Sequence, residues 1–172
     1  PQEEVQFLMN LILEYSREDR SELMRRGIRV VPIGRWKEMP RQVVRALSRL
    51  VKDTASGQKL TVLLALNYGG RQEILDAARS LALSYSGRRE ELRDLSEEDF
   101  RRFLYEPSVP DVDVIIRTSG EKRLSNFLLW RAAYAELVFT DVLWPDFGPS
   151  DLYRAIIEYQ GRERRFGDVR RE

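Results

Sequence analysis

The 172-residue chain contains no cysteine and no histidine. The first absence excludes disulfides, thiolate nucleophiles and cysteine-metal sites. The second excludes imidazole ligands and His-based catalytic triads. Lysine is scarce too, four residues against 25 arginines. Any chemistry must therefore use carboxylates, guanidiniums, hydroxyls, amides or a bound metal. Excess charge is also missing: 29 basic and 28 acidic side chains leave +1, which gives no global nucleic-acid signal. No apolar run approaches the ~20 residues needed to cross a bilayer, and no signal peptide is visible. The expected compartment is the cytoplasm. What is present, 42% hydrophobic and 33% charged residues, describes a globular protein with enough chain for one domain and a substantial core.

Strand and helix patterns alternate along the chain. Val5, Leu8, Met9, Ile12 and Tyr15 recur at helical spacing after Pro1, predicting a helix that reaches Arg26 with a break near Arg17 and stops at Gly27. Ile28 to Ile33 reads as a buried strand, and Pro40 opens a helix with Val43, Val44, Leu47, Leu50 and Val51 on one face. Leu60 to Leu66 is the most apolar strand, with Leu60, Val62, Leu64 and Leu66 sharing a face by alternation. It empties through Gly69-Gly70 into a helix carrying Ile74, Leu75 and Ala78. Ser86 to Arg93 is a charged linker, and Ser96 with Asp99 predicts a capping box. Asp151 to Tyr159 predicts a last helix with Leu152, Ile156 and Tyr159 inward, followed by an arginine-rich tail, Arg162 to Gly167, that composition alone makes a solvated end. The fold class is α/β: a mostly parallel sheet flanked by helices, one domain over residues 1–172.

The stretch from Asp113 to Phe147 organises the rest. An apolar run, Val114-Ile115-Ile116, discharges into Arg117-Thr118-Ser119-Gly120-Glu121-Lys122-Arg123, and Ser125 or Asn126 is placed to cap a helix through Phe127, Leu128, Trp130, Ala133 and Tyr134. A strand, a glycine turn and a helix start flanked by two guanidiniums form an anion site, because free N–H groups and arginine forks both suit phosphate oxygens.

RTSGEKRLSNFLLW followed by AYAELVFTDVLWPDF closely resembles the signature of the cis-prenyltransferases, the undecaprenyl diphosphate synthase family. The resemblance continues through GIRVVPIG, LTVLLALNYGGRQEILDA and RERRFG, nearly the whole chain. It implies a transferase that condenses isopentenyl diphosphate with an allylic diphosphate such as farnesyl diphosphate, giving a cis-polyprenyl diphosphate of the undecaprenyl lipid-carrier kind. It implies Mg²⁺, a homodimer, no nucleic acid, and peripheral membrane contact for product release. By match to the motif, Arg117, Arg123 and Ser125 should hold the isopentenyl diphosphate and Glu136 the Mg²⁺, with Glu121 and Asn126 supporting them. One carboxylate plus waters and phosphates suits Mg²⁺. If the helix ran unbroken from Ser125, Glu136 would lie roughly 16 Å from its start, so a break or a site shared with a partner subunit is required. The apolar product implies a channel beside the sheet. Phe127 to Leu143 carries enough apolar bulk for part of a two-fold interface.

The front departs from the family. Its Asp-Gly-Asn-Gly-Arg loop, which carries the family's catalytic aspartate, has no counterpart here, so no catalytic residue is assigned and the chain alone is expected to be inactive. The alternatives are a non-catalytic diphosphate-binding or scaffold subunit of the same fold and, weakest, a nucleic-acid binder.

Overall fold

A left-handed glycine separates the first helices from the first strand. Helix α1 (Gln2–Glu18) breaks at Asp19, α2 (Arg20–Arg26) follows, and Gly27, at φ 69°, donates its N–H back to the carbonyls of Leu23 and Met24 before strand β1 (Ile28–Ile33) begins. A residue with a Cβ meets a steric penalty there, so the glycine fixes where helix becomes strand. The computed structural model describes residues 2–88 and 90–163. These form two compact units, one ending at Glu106 and one beginning at Pro107.

In the first unit, α3 (Arg41–Thr54) carries the chain from β1 to β2 (Leu60–Ala65), and the strands pair in parallel from Ile28↔Leu60 to Ile33↔Ala65. Parallel neighbours need such a crossover. Val43, Leu47, Leu50 and Thr54 form the buried stripe of α3 at helical spacing. Thr54 is polar yet fully satisfied: its Oγ1 accepts from Val30 N at 3.1 Å and donates to Leu50 O at 2.8 Å. Gly34, at φ 94°, ends β1 where a Cβ would stand 2.5 Å from Leu66 O.

Helix α4 (Gly70–Ser84) presents Asp76 to a polar cluster. Arg35 grips its carboxylate with both arms, Nε to Oδ2 at 3.0 Å and Nη2 to Oδ1 at 2.7 Å, and the Tyr105 hydroxyl donates to Oδ2 at 2.6 Å. Glu73, one turn earlier and buried, accepts from Tyr105 N at 3.1 Å and from the Tyr68 hydroxyl. The Arg35 bonds, with those of Tyr105 and Gln72, hold the Asp76 carboxyl well below the usual carboxylate range. Burial and the adjacent Asp76 charge push Tyr105 up to about 12. The charged linker ends in a 3-10 turn (Glu91–Asp94), and the Ser96–Asp99 capping box opens α5 (Glu97–Arg101) as expected.

In the second unit, β3 (Val114–Arg117) and β4 (Glu136–Phe139) pair in parallel, Val114 opposite Glu136 and Arg117 opposite Phe139. The helix expected after Ser125 is not there. Ser125, Asn126 and Leu128 take φ of 49°, 63° and 48°, a left-handed excursion that no α-helix of L-residues sustains. Linked turns follow, among them Ala132 N to Leu128 O at 2.8 Å and Ala135 N to Ala132 O at 3.1 Å. Arg131, buried among them, donates to Val109 O at 2.6 Å, while its own carbonyl accepts from Val112 N at 3.0 Å. Helix-prone residues are thus overridden by a buried guanidinium tied to the segment before β3.

Helix α6 (Pro149–Gln160) also departs from expectation. It buries Ala155, while Leu152 and Ile156 are 41% and 37% exposed. The stripe facing β4 is Asp151, Arg154, Ala155 and Glu158, where the small residue permits close approach and the charged ones pair at its margin. Among the described residues no helix is long and apolar enough to cross a membrane. Pro1, Arg89 and the tail from Arg164 lie outside the described residues. The α/β class with parallel pairing and flanking helices agrees with the sequence reading.

Two stability outcomes follow from these clusters. Asp76→Asn should lower unfolding free energy by about 2 kcal/mol at neutral pH, since charge-assisted bonds are lost; urea denaturation measures it. The depressed Asp76 carboxyl contributes stability present above its unfolded value, near pH 4, and lost as pH falls further. The raised Tyr105 contributes stability present below pH ~10 and lost as pH climbs toward its folded value. Arg131→Ala should cost about 1.5–3 kcal/mol by removing bonds from a charged group, and unaltered urea stability would refute its role as the anchor of the turns.

Candidate functional site

The carboxyl end of β3 delivers Arg117 to a turn built for close approach. Ser119 N donates to Val142 O at 2.9 Å, Gly120 N to Thr140 O at 2.9 Å, and Thr140 N to Arg117 O at 2.9 Å, so the turn continues the β3–β4 ladder. Ser119 and Gly120 both have φ of 68°, and a Cβ on Gly120 would stand 2.9 Å from Asp141 Oδ1. A glycine at position 120 takes this positive φ without the steric cost a side chain would add.

Beside this turn lies a cavity of about 400 Å³, lined by Arg117, Thr118, Ser119, Arg123, Leu124 and Phe127 with the adjoining isoleucines of β3. Arg117 and Arg123 converge on one atom, Glu121 Oε2: Arg117 Nη2 is 3.9 Å away and Arg123 Nη2 is in direct contact. That oxygen is buried and accepts no well-formed hydrogen bond. The pairing is therefore Coulombic, and the forks are not committed to bidentate geometry. Two guanidiniums that converge on one carboxylate oxygen can equally converge on a phosphate oxygen, which offers more charge and more acceptors. The helix N-terminus expected to share this role is absent, because no helix begins at Ser125. Ser125 and Asn126 are exposed outside the lining.

Glu136 is not brought to these arginines. It opens β4 opposite Val114 while Arg117 closes β3, and three strand residues correspond to about 10 Å. Its Oε2 accepts from Arg162 Nη1 at 2.9 Å, and Arg162 also meets Glu158. Those two bonds raise the Arg162 guanidinium above its ordinary value. The expected solvated tail thus begins with a docked residue. Among the described residues, no group of three or more carboxylates stands ready to hold a metal ion.

The first unit holds a second feature, an apolar cavity of about 600 Å³. Val62, Leu64 and Leu66 line it from β2 and its exit, Leu47 and Leu50 from α3, and Leu8 and Ile12 from α1. Only Ser16 of α1 is buried, so the apolar stripe of this helix walls a cavity instead of closing a core. Leu60, expected on the same strand face, is 54% exposed and outside the lining. Sequence periodicity could identify the stripe but not the space in front of it. The buried Arg131 and the Arg35–Asp76–Tyr105 cluster carried no sequence signal, since their partners lie on distant segments.

The undecaprenyl diphosphate synthase family model (Prenyltransf) matches residues 1–167. The isoprenyl transferase of Thermotoga maritima is 48% identical over 98% of this chain and 72% of its own length. That of Clostridium acetobutylicum is 44% identical over 99% and 67%. Across such curated relatives the chain spans between 58% and 72% of their length. The crystal structure of lavandulyl diphosphate synthase from Lavandula x intermedia, in complex with dimethylallyl diphosphate, superposes with a TM-score of 0.93 at 34% identity, covering 98% of this chain and 73% of that one. With its parallel strand pairs, its arginine turn and this agreement over nearly its whole length, the chain belongs to the undecaprenyl diphosphate synthase family of isoprenyl transferases.

Proposed function

We propose that the protein takes part in prenyl-chain elongation, condensing isopentenyl diphosphate with an allylic diphosphate such as farnesyl diphosphate to give a cis-polyprenyl diphosphate. The observation that carries this is the convergence of Arg117 and Arg123 on one carboxylate oxygen at the mouth of a cavity in the RTSGEKR turn. In the reaction, the allylic C–O bond breaks and diphosphate departs with the electron pair. The double bond of isopentenyl diphosphate forms the new C–C bond, and loss of a proton restores a double bond. A protein contributes to such a step chiefly by positioning and charge stabilisation. Arg117 and Arg123 hold the isopentenyl diphosphate, displacing Glu121, with Ser125 and Asn126 at the rim of the turn. The apolar cavity of the first unit takes the growing hydrocarbon, whose burial is favourable by about 25 cal/mol per Å².

Glu136 would supply one carboxylate to a Mg²⁺ ion, in exchange for Arg162, which engages its Oε2; Mg²⁺ ordinarily keeps waters and substrate phosphates beside one or two carboxylates. When bound, the ion would neutralise diphosphate charge. Association into a homodimer is part of the same proposal, because Phe127, Tyr134 and Leu143, within the stretch expected to pair, are exposed.

Substituting Arg123→Ala in the active enzyme should raise the KM for isopentenyl diphosphate roughly tenfold to a hundredfold, the worth of one charge-assisted bond, and the KM for the allylic substrate much less. Arg117→Lys should also impair it, because lysine lacks the fork. Unchanged steady-state constants for both variants would overturn the assignment. Light scattering should give twice the protomer mass, and a monomer alone at micromolar concentration would refute the two-fold interface.

A further inference from the structure

Several arginines are paired along their own helix, as Arg25 and Arg26 are with Glu22, Arg79 with Asp76 and Arg154 with Asp151. One group is mostly without such partners. Between α1 with the start of α2 and the outer side of α3 lies a cleft of about 420 Å³ lined by Arg17, Arg20, Arg45 and Arg49, together with Gln42. Among the described residues the only carboxylate ion-paired with this set is Asp53, 3.0 Å from Arg20 Nη1 and 3.7 Å from Arg49 Nε. Arg17 and Arg45 have no ion pair among the described residues. Four guanidiniums face one carboxylate.

The sequence builds this deliberately one-sided surface. Positions 41, 45 and 49 of α3 are all arginine, spaced to share one face, while 43, 47, 50 and 54 face the core. Like charges four apart weaken an isolated helix, and Asp53, the next position on the stripe, ion-pairs with Arg49 but not with Arg45, so a further counter-anion would relieve the rest. The break at Asp19 adds Arg17 and Arg20 across the cleft. The ligand best matched to several forks around a concavity is a phosphate, which accepts bidentate bonds from more than one arginine. An acidic peptide would also be attracted, but spaced carboxylates do not need four forks around one concavity.

We propose that this cleft is a second anion site, binding a phosphate group borne by a lipid headgroup or by a free phosphate. It lies wholly within the first unit, shares no residue with the Arg117–Arg123 turn, and does not depend on the function proposed above.

The test is binding, with no turnover required. The protein is sedimented with phosphatidylcholine vesicles and with vesicles enriched in phosphatidylglycerol, and its thermal unfolding is followed in inorganic phosphate. Wild type should prefer the anionic vesicles, and Arg17→Gln/Arg45→Gln should weaken that binding about thirtyfold, from two surface arginines. Asp53→Asn should strengthen it, an opposite change that a damaged fold would not produce. Phosphate stabilisation without vesicle binding, reduced in the double variant, identifies a free phosphate as the ligand. Arg123→Ala, at the turn proposed to hold diphosphate, should leave vesicle binding unchanged and should leave in place the part of the phosphate stabilisation that the double variant removes. No response to vesicles or phosphate, or a response unchanged in the double variant, overturns the proposal, as does one abolished by Arg123→Ala alone.

Discussion

A chain that leaves the carboxyl end of one strand and must pair in parallel with the next has to be carried back to the start. The second unit meets this constraint over residues 118–135 without the helix that usually does it. Turns replace the helix, and Arg131 binds them to the peptide ahead of β3. The candidate site follows from that solution. The outgoing turn at 117–123 lies at one end of the ladder and Glu136 at the other, so the arginines and the acid are separated by the pairing itself.

Within the turn, the arginines are kept usable by how loosely they are satisfied. A guanidinium fully hydrogen-bonded in a bidentate pair, as Arg35 is with Asp76, is a structural member. Arg117 and Arg123 share one oxygen of Glu121 and keep their donors in poor alignment with it. A partly exposed, poorly aligned pair of this sort is weak, and a ligand with more charge can take its place. The same residue type thus serves as a permanent tie in one unit and as a replaceable contact in the other, and the difference lies in geometry.

How much of this was readable beforehand divides along the range of the interactions involved. Gly27, the Ser96–Asp99 box, the break in the first helix and the strands at 28 and 60 each rest on neighbours within a few positions, and the structure has them all. The stretch from Ser125 failed because Leu, Arg and Ala favour helix locally, while the decisive contact reaches back to Val109. Periodicity on α6 failed differently. Leu152 and Ile156 do share a face, but the helix turns its Ala155 side to β4. Of the site, the arginine turn was legible as a motif. The neutralising position of Glu121, the distance of Glu136 and the open space before α1 were not, since each depends on where another segment comes to rest.

Gly34 carries a mechanical consequence. Its Cα stands so near the Leu66 carbonyl and the Tyr68 side chain that one methyl group would act as a wedge driven between the exits of β1 and β2. The strand pair is zipped along its length, with Leu66 N bonded to Ile33 O and Arg35 N to Asn67 O on either side of the pinch. A wedge at this point would therefore lever both flanking bonds at once, and the displaced Leu66 and Asn67 are wall residues of the apolar cavity. The calibre of that cavity is set in part by an atom that is not there.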